Sequence, residues 1–206
     1  MTTVSIFRNN QLTSNRPLLT VLNHILLGTE REIVENYRQL LWDGKDDWAD
    51  QLLLQLQFFT PAGQFHTIRH KDNLMQYTRL LMLETRPMRE SKMAETRQAI
   101  IAEQYAFACF RHIAGNALVL FVPVETEAHQ HQRTFNRVYQ YFSDIVGLSL
   151  TSAGFRVTDG CYYSSDPDTF INPDAVPFPL QPKPVFPPPT SNAVALPATS
   201  VAALFV

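Results

Sequence analysis

The placement of proline constrains this chain more than any other feature. Eight of its 14 prolines fall between Pro177 and Pro197. Proline has no amide N–H and a fixed φ, so the run PFPLQPKPVFPPP cannot supply the donors that a helix or an inner strand needs. An extended, polyproline-like strip is expected there, followed by the uncharged stretch TSNAVALPATSVAALFV. The chain therefore divides into a folded body over residues 1–175 and a disordered proline-rich tail over 176–206. With 45% hydrophobic and 17% charged residues, the body can build a real core, which excludes a wholly disordered chain and a coiled coil. No apolar run is long enough to cross a bilayer, and MTTVSIFRNN holds no signal-peptide core. Cys109 and Cys161 are too few for a disulfide framework or a four-thiolate zinc site. The expectation is a cytoplasmic protein with reduced thiols and no membrane partner.

Periodicity predicts alternating elements in the body. Val4–Phe7 reads as a strand before a polar connection, NNQLTSN. A helix is expected from Thr20 to Gly28, a second with Ile33, Val34, Tyr37, Leu40 and Leu41 on one face, and a third through Trp48, Leu52, Leu53 and Leu56. Thr29 with Glu32 suggests a capping box for the second helix, and Asp46 or Asp47 a cap for the third. Short β-like pieces follow around Phe58–Phe59 and Phe65–Ile68. Leu80–Leu83 reads as a buried strand and Ser91–Tyr105 as a helix. Ala106–Phe110 and Ala117–Val124 read as strands joined by a turn at Gly115–Asn116. Glu125–Val146 is expected to be the longest helix, with Phe135, Val138, Tyr139, Phe142 and Val146 as its stripe. Phe155–Val157 and Cys161–Ser164 read as short final strands. The order β-α-β-β-α-β after a helical N-terminal portion is that of an α+β, ferredoxin-like or RRM-like split βαβ fold.

Candidate chemistry is sparse. The seven glycines include no GxxxxGK or GxGxxG spacing, so P-loop and Rossmann functions are excluded. His129 and His131 stand two apart and read as exposed helix histidines, a poor metal pair. Cys109 reads as a core thiol, and no histidine–acid arrangement is visible that would activate Cys161. The acidic candidates are Glu84, Asp159, Asp166 and Asp168, with Asp166-Pro167-Asp168 read as a turn in preference to a cation site. Net charge is −2, yet residues 61–112 carry eight Lys/Arg against five Asp/Glu. This basic middle third supplies Arg69, His70, Lys71, Arg79, Arg86 and Arg89 as phosphate-contact candidates, with Phe65, His66 and Tyr77 as stacking candidates.

Four stretches carry a family resemblance: VSIFRN (Val4 to Asn9), LLMLETRPM (Leu80 to Met88), HIAGNALVLFVPV followed by His129, and CYYSSDPDTFINPDAVPF (Cys161 to Phe178). Together they resemble the VirE N-terminal-domain family, the primase-like domains of bacterial mobile elements. The resemblance implies an archaeo-eukaryotic primase-type core that makes or extends nucleic-acid strands with divalent metal. The positions that the family fills with Asp-x-Asp are here Glu84, Thr85 and Arg86. The SGKGLK loop is replaced by Ala114, Gly115, Asn116, Ala117, Leu118 and Val119. Two-metal transfer needs converging carboxylates, and alternation along a strand would set Arg86 on the face of Glu84. A Glu84–Arg86 ion pair is therefore expected, with Arg156 and Asp159 forming a salt bridge in exchanged order.

Three readings follow. The first is a catalytically inactive, primase-like domain that binds single-stranded DNA or RNA in replication or mobilisation of a mobile element, beside a helicase or another replication protein. It has no cofactor and no metal site, and Glu84 is a catalytic remnant. The second is an interaction module that uses the proline-rich tail. The third is an active nucleotidyltransferase in which Glu84 with Asp159, Asp166 or Asp168 holds Mg or Mn.

Overall fold

The structure is a computed structural model that describes residues 2–179. The expected proline-rich tail lies outside the described residues from 180 onward. In chain order the first elements are β1 (Thr3–Arg8), β2 (Gln11–Pro17), α1 (Leu18–Leu27), α2 (Arg31–Trp42), α3 (Asp46–Leu53), β3 (Gln57–Thr60), β4 (Gly63–Phe65) and β5 (Leu74–Tyr77). They are followed by β6 (Leu80–Glu84), α4 (Glu90–Ile101), β7 (Ala108–Arg111), β8 (Leu118–Pro123), α5 (His131–Val146), β9 (Cys161–Tyr162) and β10 (Phe170–Ile171). The result is a mixed α+β fold.

Strand alternation decides the layering. In β6, Leu81 and Leu83 turn to one face, and Leu80 and Met82 to the other. β8 does the same, with Leu118, Leu120 and Val122 against Val119 and Phe121. The first face packs on α4 and α5 through Met93, Ile100, Phe135, Val138 and Phe142. The second meets Val4, Ile6 and Phe59 of another sheet, with Leu18, Val21, Leu22 and Ile25 of α1 packed into the same core. Strands buried on both faces read as continuous apolar runs, which is why Leu80–Leu83 and Leu118–Val122 have no polar alternation. The two antiparallel sheets have strand orders β2-β1-β3-β9 and β10-β7-β8-β6. β4 and β5 form a separate hairpin.

Several expectations need correction. The polar NNQLTSN is not a connection. Asn9 and Asn10 take φ of 47° and 59° in a tight turn, and the residues after them form β2, an edge strand. Its polarity follows from that edge position, where one side faces water. Neither the Thr29–Glu32 box nor an Asp46 or Asp47 side-chain cap forms, since α2 and α3 start at Glu30 and Lys45 without a side-chain cap bond. The longest helix starts at His131 and not at Glu125. A 3-10 turn over Ala128–Gln130 precedes it, closed by reciprocal bonds between Glu127 and Gln130. Phe155–Val157 is turn and not strand.

In the second sheet β8 lies between β6 and β7, with α4 and α5 on the crossovers. The strand expected to complete that sheet goes elsewhere: Cys161–Tyr162 pairs with β3 in the first sheet. The place beside β6 holds a single bridge, Thr85 to Leu150, with Thr151 N–H donating to the Glu84 carbonyl at 2.8 Å. β10 covers the opposite edge, on β7.

Candidate functional site

Glu84 ends β6 on the face toward the first sheet. Its side chain is 21% exposed, and its Oε2 lies 3.7 Å from Nε2 of His112. Burial alone pushes the Glu84 carboxyl up to about 7. Burial, with the Arg38 charge added, lowers His112 to about 4. Between those values both groups are neutral, so their approach is an acid–imidazole contact and not an ion pair. The expected Glu84–Arg86 pair does not form. β6 stops at Glu84, and Thr85 is buried with its hydroxyl accepting from Leu118 N–H at 2.9 Å. Arg86 projects past the strand end, exposed and without an ion pair among the described residues. The physical reason is that alternation holds only while the strand continues.

The other acids have partners of their own. Asp159 accepts from Arg156 N–H at 3.0 Å and lies 3.6 Å from Arg156 Nε, so the exchanged-order salt bridge is present at the surface. Asp166 is 2% exposed and accepts from Arg97 Nη2 at 2.7 Å, Arg111 N–H at 2.6 Å and Asp168 N–H at 3.1 Å. Asp168 receives no bond on its carboxylate, but its carbonyl accepts from Arg97 Nη1 at 2.7 Å. This makes Asp166-Pro167-Asp168 a turn locked by a buried ion pair. Among the described residues no three His, Cys, Asp or Glu side chains converge as metal ligands would.

The basic candidates separate. Arg69, His70 and Lys71 lie on the loop between β4 and β5 and line a cleft of about 400 Å³ with His129, His131 and Arg156. No carboxylate is in that lining, although Asp72 sits beside His70 and Asp159 beside Arg156. Arg69 is the fixed member. Its guanidinium carbon sits 4.8 Å above the Phe58 ring, and it donates to the Thr158 carbonyl at 3.1 Å and to Asn10 Oδ1 at 3.3 Å. Gly160 makes this possible, since a Cβ there would lie 2.7 Å from the Phe58 ring. Arg79 is held by Glu127. Arg86 and Arg89 flank Met88, whose N–H bonds the Asn116 carbonyl in the β7–β8 turn, and neither lines this cleft.

Three further expectations are overturned. His131 is not exposed: it is 2% accessible, with Nδ1 3.0 Å from the Tyr77 hydroxyl and Nε2 2.9 Å from the Gly154 carbonyl. Tyr77 is thereby committed to packing and is not free to stack. Phe65 is fully buried against Phe7, so it is core as well. Of the stacking candidates only His66 stays exposed.

A model of the family described as BT4734-like, N-terminal domain, matches residues 51–170, more than half of the chain. The chain belongs to this family. No curated protein matches it, and neither does a solved structure. The BT4734-like segment starts inside α3 and ends at the first residue of β10, so it contains Glu84, the cleft cations and the Asp166 turn. It leaves out β1, which lies between β2 and β3. Two functional features of this BT4734-like chain escaped the sequence reading. Arg156 joins the cleft from 87 positions beyond Arg69, and charge counting by segment cannot bring the two together. The Asn9–Asn10 pair carries a usable signal, because adjacent asparagines after a strand favour a left-handed turn.

Proposed function

We propose that this domain is primase-like in descent, lacks working metal chemistry and acts by holding a nucleic-acid strand during replication or mobilisation of a mobile element, with a helicase or another replication protein as partner. The observation that carries the reading is the convergence of Arg69, Lys71 and Arg156 on one cleft whose lining has no carboxylate. Phosphate contact by Lys and Arg supplies most sequence-independent grip on nucleic acid. A split βαβ arrangement supports the descent: β8 sits between β6 and β7, with only the Thr85–Leu150 bridge where an RRM-like fourth strand would run. The residues at the end of β6 do not fit a pair of divalent cations. Glu84 has the buried Thr85 and the cation Arg86 after it, and a carboxyl raised to about 7 is half protonated at neutral pH. That state is a weak cation ligand.

Fluorescence anisotropy with labelled single-stranded DNA tests the proposal. Three cation–phosphate contacts on a single strand predict a loss of about 20-fold in affinity between about 50 and about 200 mM salt. Arg69→Ala with Lys71→Ala should weaken binding and flatten that dependence. No binding at the lower salt would remove the nucleic-acid reading. Primer extension that Glu84→Gln abolishes would restore an active nucleotidyltransferase in its place.

A further inference from the structure

Arg69 lines a second, smaller cavity of about 160 Å³ next to the basic cleft. Its wall is apolar and aromatic, formed by Leu54, Phe58 and Tyr162, and its rim carries the amides of Asn9 and Asn10. Phe58 and Tyr162 are in contact, their ring centroids 5.5 Å apart. Leu54 is 57% exposed, which is unusual for a leucine with no solvent-side partner. The two asparagines are also informative. Both hold positive φ, where glycine is the least strained residue, so the choice of asparagine adds an amide at the cost of some strain. The Asn10 amide oxygen accepts from Arg69, which ties the rim to the cation.

We propose that this cavity takes one unpaired nucleobase from the strand whose phosphates lie in the Arg69–Lys71–Arg156 cleft, which makes the domain selective for single strands. The inference rests on the reading of that cleft as a phosphate groove. A nucleobase has two apolar faces and a polar edge. The cavity offers a matching apolar wall and an amide rim, and Arg69 stands where base and phosphate would join. In a duplex the base faces are stacked and the pairing edges are occupied, so only an unpaired base can enter.

The test compares two chains of equal charge. One is a labelled mixed-sequence single strand of about 12 nucleotides, within the span of one small binding fold. The other is an abasic sugar-phosphate chain of the same length. The expected result is binding of the base-bearing strand about tenfold or more tighter than the abasic chain, the order a single stacked base contributes. Leu54→Ser and Asn9→Gly should shrink that ratio and leave abasic affinity unchanged. Leu54 is exposed, and glycine keeps the turn, so thermal melting should show both variants folded. Equal affinity for the two chains, or for a matching duplex, overturns the base cavity. If Arg69→Ala with Lys71→Ala still weakens both chains in that case, the phosphate groove stands alone. Failure of either chain to bind overturns the cavity and the groove together.

Discussion

Asp166→Asn is the most informative single change. The Asp166 carboxylate is buried and accepts three hydrogen bonds, from Arg97 Nη2, Arg111 N–H and Asp168 N–H. Arg97 is 12% exposed, and the 2.7 Å ion pair to Asp166 is the charge partner given to it. An asparagine keeps the shape but turns one acceptor into a donor and leaves the guanidinium uncompensated. Breaking a buried pair from one side costs about 3–5 kcal/mol. In a chain of this size each kcal/mol lowers the melting temperature by about 2–4 °C, so a fall of about 6–20 °C is expected. Differential scanning calorimetry reads it directly. Arg97→Met should be costly too, but the double variant should lose less than the sum of the two, with a coupling of at least about 1 kcal/mol. A melting temperature within about 2 °C of the parent for Asp166→Asn would refute the argument. The turn would then owe its shape to something other than the buried pair.

Two further expectations concern stability. Glu84 is raised from 4.5 to about 7, so it contributes stability below pH 4.5 that is lost as pH rises through 7, up to about 3 kcal/mol. His112 is lowered from 6.5 to about 4 and acts in the opposite sense, its contribution being lost as pH falls from 6.5 toward 4. The two slopes offset each other between pH 4.5 and 6.5, and Glu84→Gln should expose the His112 slope. Urea unfolding across that range checks this, and parallel curves for parent and variant would contradict it. Gly154→Ala should cost more than about 3 kcal/mol or prevent folding, because φ is +86° and a Cβ would run into the Met82 carbonyl of β6. Gly147→Ala, at φ +64° with open space, should cost only about 1 kcal/mol. Equal melting of the two variants would mean that the Met82 contact has no influence.

Much of the fold was legible because burial leaves a pattern. Leu80–Leu83 and the Phe135–Val146 stripe were readable since each element meets the core along a fixed period. β2 was not, because an edge strand such as QLTSNRP has a polar composition close to that of a loop. At the site, Glu84 was identified from a strand end, but its true neighbour, His112, comes from the end of another strand. The expected Arg86 contact failed for a local reason, the end of β6. The base cavity draws on the β1–β2 turn, on Leu54 after α3 and on β9. Sequence spacing carries no record of such a meeting.

The segment Cys161–Ile171 has a consequence for how this protein must be made. Within a few residues it gives β9 to one sheet and β10 to the other. On the ribosome, neither sheet can cover its last edge until that segment has emerged. A nascent chain ending short of it would display the outer rows of β3 and β7 together, a double invitation to wrong partners. Recombinant yield should therefore depend on chaperone supply and on slow synthesis more strongly than the stability of the finished molecule would suggest.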